Sequence, residues 1–119
     1  MKPHRLTVLF FLAIMLTACA TSPTGRRQLM IVSEEHAINS SAQAYVQTIA
    51  PLQRHGKIDN NPALNARVTR ITELLVAQAV IMRPDTKDWQ WSMKVIDDTE
   101  TVNAWCMAGG KMALYTGLI

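Results

Sequence analysis

The residues of this chain that could hold a catalytic metal ion are its three histidines, His4, His36 and His55. A hydrolytic zinc centre on a helix needs two histidines one turn apart with a glutamate beside the first, as in the pattern H-E-x-x-H. None of the three has another histidine at that spacing, although His36 follows two glutamates. His36 is therefore predicted to be a solvent-facing helix residue. The sequence predicts no metal ligand and no catalytic residue in this chain.

The N-terminus has the layout of a bacterial secretory signal. The first five residues contain two cations, and residues 6–18 are almost wholly apolar. A basic segment followed by an apolar run of this length is typical of a signal peptide, whereas a membrane-spanning helix needs about 20 apolar residues. We therefore predict a signal peptide at residues 1–18, with a single membrane anchor as the alternative.

The signal ends in Leu16-Thr17-Ala18-Cys19, which resembles the bacterial lipobox. In that motif the cysteine thiol receives a diacylglycerol group and the cysteine becomes the mature N-terminus. Cys19 is therefore the predicted lipidation site, and the alternative is an ordinary signal peptide with an incidental cysteine. Several acyl chains anchor a protein stably to a membrane. We expect anchoring at the periplasmic face, and at the outer membrane, because Ala20 stands where inner-membrane retention commonly uses aspartate.

The mature part of the chain is nearly neutral. All nine acidic residues and ten of the twelve basic residues follow Cys19, which leaves one net positive charge. No basic stripe or aromatic-interleaved basic patch is present, so no nucleic-acid partner is predicted. Residues 19–32, which begin with small residues, are predicted to form a tether, and residues 33–119 a domain.

Two amphipathic helices are predicted in that domain. The first begins after the N-cap residue Ser33 and is expected to end at Pro51. Its apolar stripe comprises Ile38, Ala42, Tyr45 and Ile49. The second begins at Pro62 behind the cap residue Asn61 and ends at Pro84. Its apolar stripe comprises Leu64, Val68, Ile71, Leu75, Ala79 and Met82.

Strands follow, because the hydrophobic period changes to two from Trp89 onward. Residues 89–95 alternate between apolar and polar types, and residues 97–100 form a polar turn. Two further extended runs, residues 101–108 and 111–116, flank Gly109-Gly110, a two-residue hairpin signal. The predicted fold class is therefore α+β, with two amphipathic helices followed by a three-stranded antiparallel meander.

Three residues of this strand region, Trp89, Trp91 and Cys106, each have a structural interpretation and an alternative. Trp89 and Trp91 are predicted to pack against the core, with a ligand platform as the alternative. Cys106 has no partner in the chain once Cys19 is acylated. We predict that Cys106 is a buried small hydrophobe within a strand, and the alternative is a disulfide with another chain or with a residue beyond Ile119.

Two segments of the mature chain resemble one enzyme family. Thr24–Leu29, followed by Val32–Glu35, looks like the start of periplasmic lipoprotein members of the HtpX/BepA-type zinc metallopeptidases, metallopeptidase family forty-eight. The run Val102–Ile119, with the sequence VNAWCMAGGKMALYTGLI, resembles the hairpin of that family more closely. The resemblance implies that residues 33–119 form the N-terminal part of an incomplete zincin-like metallopeptidase domain.

The family activity implied by the resemblance is zinc-dependent cleavage of internal peptide bonds in misfolded or unassembled envelope proteins. Asn103 and Ala104 would lie on an edge strand that holds the substrate peptide in extended form. Strand-end hydrogen bonding is the alternative role for Asn103. Because the H-E-x-x-H motif is absent, we expect a chain that is truncated before it and inactive alone, with zinc only in the full-length family member.

Two other functional hypotheses stay open. One is a non-enzymatic lipoprotein that binds extended peptides or an envelope protein partner through an open strand edge. The other is a gene-boundary product that has no function of its own.

Overall fold

The computed structural model describes residues 19–22, 25–29 and 31–119. The predicted signal peptide, residues 1–18, lies outside these residues, as does Thr24 at the start of the family-like segment. In the part of the chain that is described, no helix is long and apolar enough to cross a membrane. The chain divides into two compact units, Met1–Ser33 and Glu34–Ile119.

A short hairpin forms in the first unit. Strand β1 (Cys19–Thr21) pairs antiparallel with strand β2 (Arg27–Leu29). The turn between them is closed by the Gly25 N–H, which donates to the Ser22 carbonyl at 2.9 Å. Gly25 has a φ of +80°, a conformation that glycine adopts without steric cost. The segment predicted to be a tether, residues 19–32, therefore contains local structure.

The first helix of the second unit, α1, spans Glu34–Arg54 and continues past Pro51, where the sequence predicted its end. Proline inside a helix removes one backbone hydrogen bond and crowds the carbonyl four residues earlier, which costs about 3 kcal/mol. Leu52, the next residue, packs against the core cluster that contains Ile49, and this burial favours the extra turn. The predicted apolar stripe is confirmed, since Ile38, Ala42, Tyr45 and Ile49 are all buried or half-buried.

The end of α1 is a Schellman motif centred on Gly56, which has a φ of +66°. The Lys57 N–H donates to the Leu52 carbonyl at 2.8 Å, and the Gly56 N–H donates to the Gln53 carbonyl at 3.1 Å. These two bonds satisfy carbonyls that the helix leaves unpaired at its end. Gly56, and not Pro51, is therefore the residue that terminates α1.

The second helix, α2, spans Pro62–Met82 as predicted. The Asn61 side chain caps it by accepting from the backbone N–H groups of Ala63 and Leu64 at 3.0 and 3.2 Å. The predicted stripe is only partly right, because Ile71, Leu75 and Met82 are exposed. The buried or half-buried side of α2 comprises Leu64, Asn65, Val68, Thr72, Val76, Ala79 and Val80. Two of these residues are polar, which is why hydropathy alone placed part of the stripe on the exposed side.

A 3₁₀ turn (Pro84–Asp88) leads from α2 to the sheet. The strand predicted from Trp89 begins only at Ser92, because both tryptophans pack on this turn instead. The Trp91 indole N–H donates to the Thr86 carbonyl at 3.0 Å, and the Trp89 and Trp91 rings lie 5.3 Å apart. Both side chains are half-buried, as their predicted packing role requires.

The sheet consists of β3 (Ser92–Ile96), β4 (Ala104–Met107) and β5 (Lys111–Tyr115) in the spatial order β3-β5-β4. Strands β4 and β5 are antiparallel, whereas β3 and β5 are parallel. The α+β class with two helices before three strands is confirmed. The predicted antiparallel meander is wrong for β3, since β5 and not β4 lies beside it.

Residues 97–103 explain this order, because they cross the end of β5 between β3 and β4. The Asp98 backbone N–H donates to the Thr116 hydroxyl at 2.9 Å, and the Gly117 N–H donates to the Asp98 carbonyl at 3.0 Å. The Asp98 carboxylate accepts from the Thr101 hydroxyl at 2.8 Å, and this bond lowers the pKa of Asp98. Residues 97–100, which were predicted to form a simple polar turn, are therefore part of a crossover that is hydrogen-bonded to the end of β5.

The core lies between α1 and the sheet. Its buried residues are Ile49, Ile96 and Ala113. Half-buried hydrophobic residues pack around them, namely Tyr45, Leu52, Ile58, Trp105 and Tyr115. Ala113 is completely buried at the centre of β5, which is the central strand of the sheet. Strands β3 and β4 are consequently left at the two edges of the sheet.

Candidate peptide-binding edge

Strand β4 pairs on one side only within the described residues, so its other side is an open edge. Ala104 lies opposite Leu114, Cys106 lies opposite Met112, and the Tyr115 N–H donates to the Asn103 carbonyl at 3.0 Å. Backbone groups in an antiparallel pair point alternately toward and away from the partner strand. The N–H and C=O groups of Ala104 and Cys106 therefore point outward, where an extended polypeptide could pair with them.

Both residues predicted to face a substrate, Asn103 and Ala104, lie at this edge and are exposed. The Asn103 side-chain oxygen accepts from the Ala104 N–H at 2.9 Å. This contact is the local strand-end hydrogen bond that the sequence left open as an alternative. The role of either residue toward a substrate stays a prediction.

Cys106 is exposed and forms no disulfide, so the prediction that it is buried is wrong. Successive side chains of a strand alternate between the two faces of a sheet. Trp105 and Met107 lie on the face toward α1, which leaves Cys106 on the opposite face beside Met112. Partial burial still raises the pKa of the Cys106 thiol, so it is protonated at neutral pH. A hydrophobic sequence context could not reveal which face the residue occupies.

Aromatic packing holds β4 against α1. The Trp105 and Tyr45 rings make an edge-to-face contact with centroids 6.0 Å apart and an interplanar angle of 76°. The Tyr45 hydroxyl also lies 2.9 Å from the Ser92 hydroxyl, so the same residue reaches β3. One side chain of α1 thus contacts both edge strands and fixes the position of the candidate edge.

The hairpin that joins β4 to β5 has three loop residues, Ala108–Gly110, and not the two that the sequence predicted. Gly109 and Gly110 have φ values of +79° and +78°. A Cβ at position 110 would lie 2.5 Å from the Trp91 ring, and one at 109 would lie 3.0 Å from Ile38. The two glycines are therefore needed for their backbone conformation and for close packing.

The described residues do not fit a zinc ion. No three histidine, cysteine, aspartate or glutamate residues among them lie close enough together to hold a metal. His36 is exposed on α1, His4 lies outside the described residues, and the His55 Nδ1 lies 2.7 Å from the Pro51 carbonyl. The edge itself offers the outward backbone N–H and C=O groups of β4 for hydrogen bonding.

Two residues that determine this edge, Asp98 of the crossover and its hydrogen-bond partner Gly117, were not predicted from the sequence. They place β4 at the outside of the sheet, because the crossover carries the chain past β5. Aspartate followed three residues later by threonine is a recognisable local turn pattern, but it does not indicate which strands the turn separates.

One comparison with known protein families gives a match. The model for Peptidase family M48 matches residues 62–119, which include α2, the sheet and a final 3₁₀ turn, Thr116–Leu118. No curated protein and no solved structure matches the chain. The matched residues include the candidate edge strand β4, its partner strand β5 and the crossover.

Proposed function

We propose that this chain is the N-terminal part of a zinc-dependent metalloendopeptidase of family M48, of the HtpX/BepA type. The observation that carries the proposal is the family match at residues 62–119. The resemblance of the hairpin, Val102–Ile119, falls within the same residues. Hydrolysis of internal peptide bonds is the activity that such a family supports.

The part played by these residues is to hold the substrate and not to cut it. An extended peptide can add to the β4 edge by pairing with the outward N–H and C=O groups of Ala104 and Cys106. Such pairing uses the peptide backbone, so it demands no particular substrate sequence. This suits misfolded or unassembled envelope proteins, which expose extended segments of many sequences.

Zinc would be held by residues outside this chain. The 119 residues contain no H-E-x-x-H pattern, and the described residues offer no metal site. In a zinc peptidase the metal polarises the peptide carbonyl and activates a water molecule. The chain shown here would be inactive by itself and would supply the strand beside which a scissile peptide lies.

Membrane attachment is proposed through Cys19. Removal of residues 1–18 would leave this cysteine as an acylated N-terminus, and the protein would lie at the periplasmic face of the outer membrane. The support comes from the order of the basic, apolar and lipobox-like segments in the sequence.

The coding DNA beyond Ile119 tests the peptidase proposal. We expect an in-frame H-E-x-x-H pattern within the next few dozen codons, preceded by an apolar helical stretch that can cover the sheet. An in-frame sequence without that pattern would remove the peptidase proposal.

A second candidate function is peptide binding without hydrolysis. The observation that favours it is the open β4 edge in a chain whose described residues hold no metal site. Such a lipoprotein would hold extended segments of other envelope proteins by strand addition.

Replacing Cys106 by proline tests strand addition at this edge. The Cys106 N–H points away from β5, so proline should leave the sheet paired while it removes one outward donor. Binding of a fluorescent extended peptide should weaken about fivefold, as expected for the loss of one hydrogen bond. Circular dichroism should be unchanged. Unaltered binding by the folded variant would contradict strand addition at β4.

A further inference from the structure

The two outward-facing residues of the β4 edge differ in how their backbone N–H groups are used. The Ala104 N–H donates to the Asn103 side-chain oxygen at 2.9 Å. Within the described residues, no comparable side-chain acceptor is aimed at the Cys106 N–H, and β5 lies on the other side of it. One of the two donors that an incoming strand would use is therefore already occupied.

The Asn103 side chain can leave this position without disturbing the sheet. Asn103 and Ala104 are both exposed, so rotation of the amide meets no packed core. The Asn103 carbonyl accepts from the Tyr115 N–H at 3.0 Å, and this backbone bond does not involve the side chain. Rotation about the side-chain bonds would expose the Ala104 N–H while β4 stays paired with β5.

We propose that Asn103 is a latch on the β4 edge, whose side-chain oxygen competes with the carbonyl oxygen of an incoming peptide for the Ala104 N–H. A single N–H makes one strong hydrogen bond, so peptide pairing must displace the latch. The closed latch protects the edge from unwanted strand pairing, which open edges otherwise invite. The inference rests on the proposed strand addition at β4. Asn103 would act through the Ala104 N–H, and its side chain would weaken peptide binding.

The latch predicts that removal of the Asn103 side chain strengthens binding. The probe is a fluorescein-labelled ten-residue peptide of alternating threonine and valine, and its anisotropy is measured with the full chain in detergent. Asn103→Ala should bind it about fivefold more tightly, because no intramolecular acceptor has to be displaced. Asn103→Asp keeps an acceptor oxygen and should bind no more tightly than the original chain.

Amide hydrogen exchange tests the contact without any peptide. In Asn103→Ala the Ala104 amide should exchange about fivefold faster, since an exposed amide loses its acceptor. Val102→Ala serves as the matched control, because Val102 is 72% exposed and offers no acceptor. That variant should change neither the exchange rate nor the affinity.

The outcomes separate the latch from the function on which it rests. Weaker binding by Asn103→Ala would show that Asn103 contacts the peptide directly, and it would overturn the latch. If the original chain and Asn103→Ala bind the peptide equally and their Ala104 amides exchange at equal rates, the latch alone would be overturned. Absence of binding by either chain would overturn strand addition at β4, and with it any latch that controls binding.

Discussion

Replacing Gly117 by alanine should lower the free energy of unfolding of the 34–119 unit by about 3 kcal/mol. A Cβ at this position would lie 2.5 Å from the Thr101 carbonyl oxygen and 2.6 Å from the Thr99 carbonyl oxygen. Both are backbone atoms of the crossover, so the whole segment must shift to make room. The shift would also break the bond from the Gly117 N–H to the Asp98 carbonyl.

Urea unfolding followed by circular dichroism measures this loss. Gly56→Ala is a suitable control, because nothing lies within 4 Å of its added Cβ although its φ is +66°. That variant should lose about 1 kcal/mol, the usual cost of alanine where glycine is preferred. If the free energy of unfolding falls no more in Gly117→Ala than in Gly56→Ala, the crossover does not pass the end of β5 as closely as described.

Truncation of the core should have a comparable effect. Ile96 is 1% exposed and packs with Ile49 and Ala113 where α1 meets the sheet. Ile96→Ala removes buried methyl groups and leaves a cavity, which should lower the free energy of unfolding by about 3–4 kcal/mol. A domain with an unfolding free energy of about 5–15 kcal/mol would lose a large part of its stability.

The same substitution on the surface provides the control. Ile81 on α2 is 71% exposed, so Ile81→Ala should change the unfolding free energy by less than about 0.5 kcal/mol. Both variants are compared by urea titration at one temperature. Equal losses would mean that the core is not centred on Ile96.

The two helices were predictable because their signals are local. Asn61 and Pro62 define the start of α2 through a cap that involves only neighbouring residues. Pro51 misled the prediction for α1, since its cost is offset by burial of Leu52 in a core formed by distant strands. Gly56, whose positive φ ends α1, is a local helix-termination signal that the prediction did not use.

The strand order was not predictable from the same kind of signal. Gly109-Gly110 correctly indicated the β4–β5 hairpin, because a hairpin turn is local. The parallel pairing of β3 with β5 depends on the crossover, whose bonds join Asp98 to residues eighteen and nineteen positions later. Alternating hydrophobicity gives the faces of a strand but not its neighbours.

The candidate edge came from the resemblance and not from residue patterns. Asn103 and Ala104 were assigned through the hairpin motif, and the structure adds that they share a hydrogen bond. The outward direction of Cys106 follows from its register with Met112, which no property of the cysteine itself specifies. A long-range pairing therefore decides which backbone groups of β4 are available.

Zinc content and peptide hydrolysis, measured together, test most directly whether this chain is the substrate-holding part of a zinc peptidase. Two purified polypeptides are compared: the 119-residue chain, and the same chain continued through its downstream reading frame. We expect no stoichiometric zinc and no casein hydrolysis from the first, and both from the second, with hydrolysis lost on chelation. Tightly bound zinc in the 119-residue chain, or a continued chain without zinc or activity, would contradict the proposal.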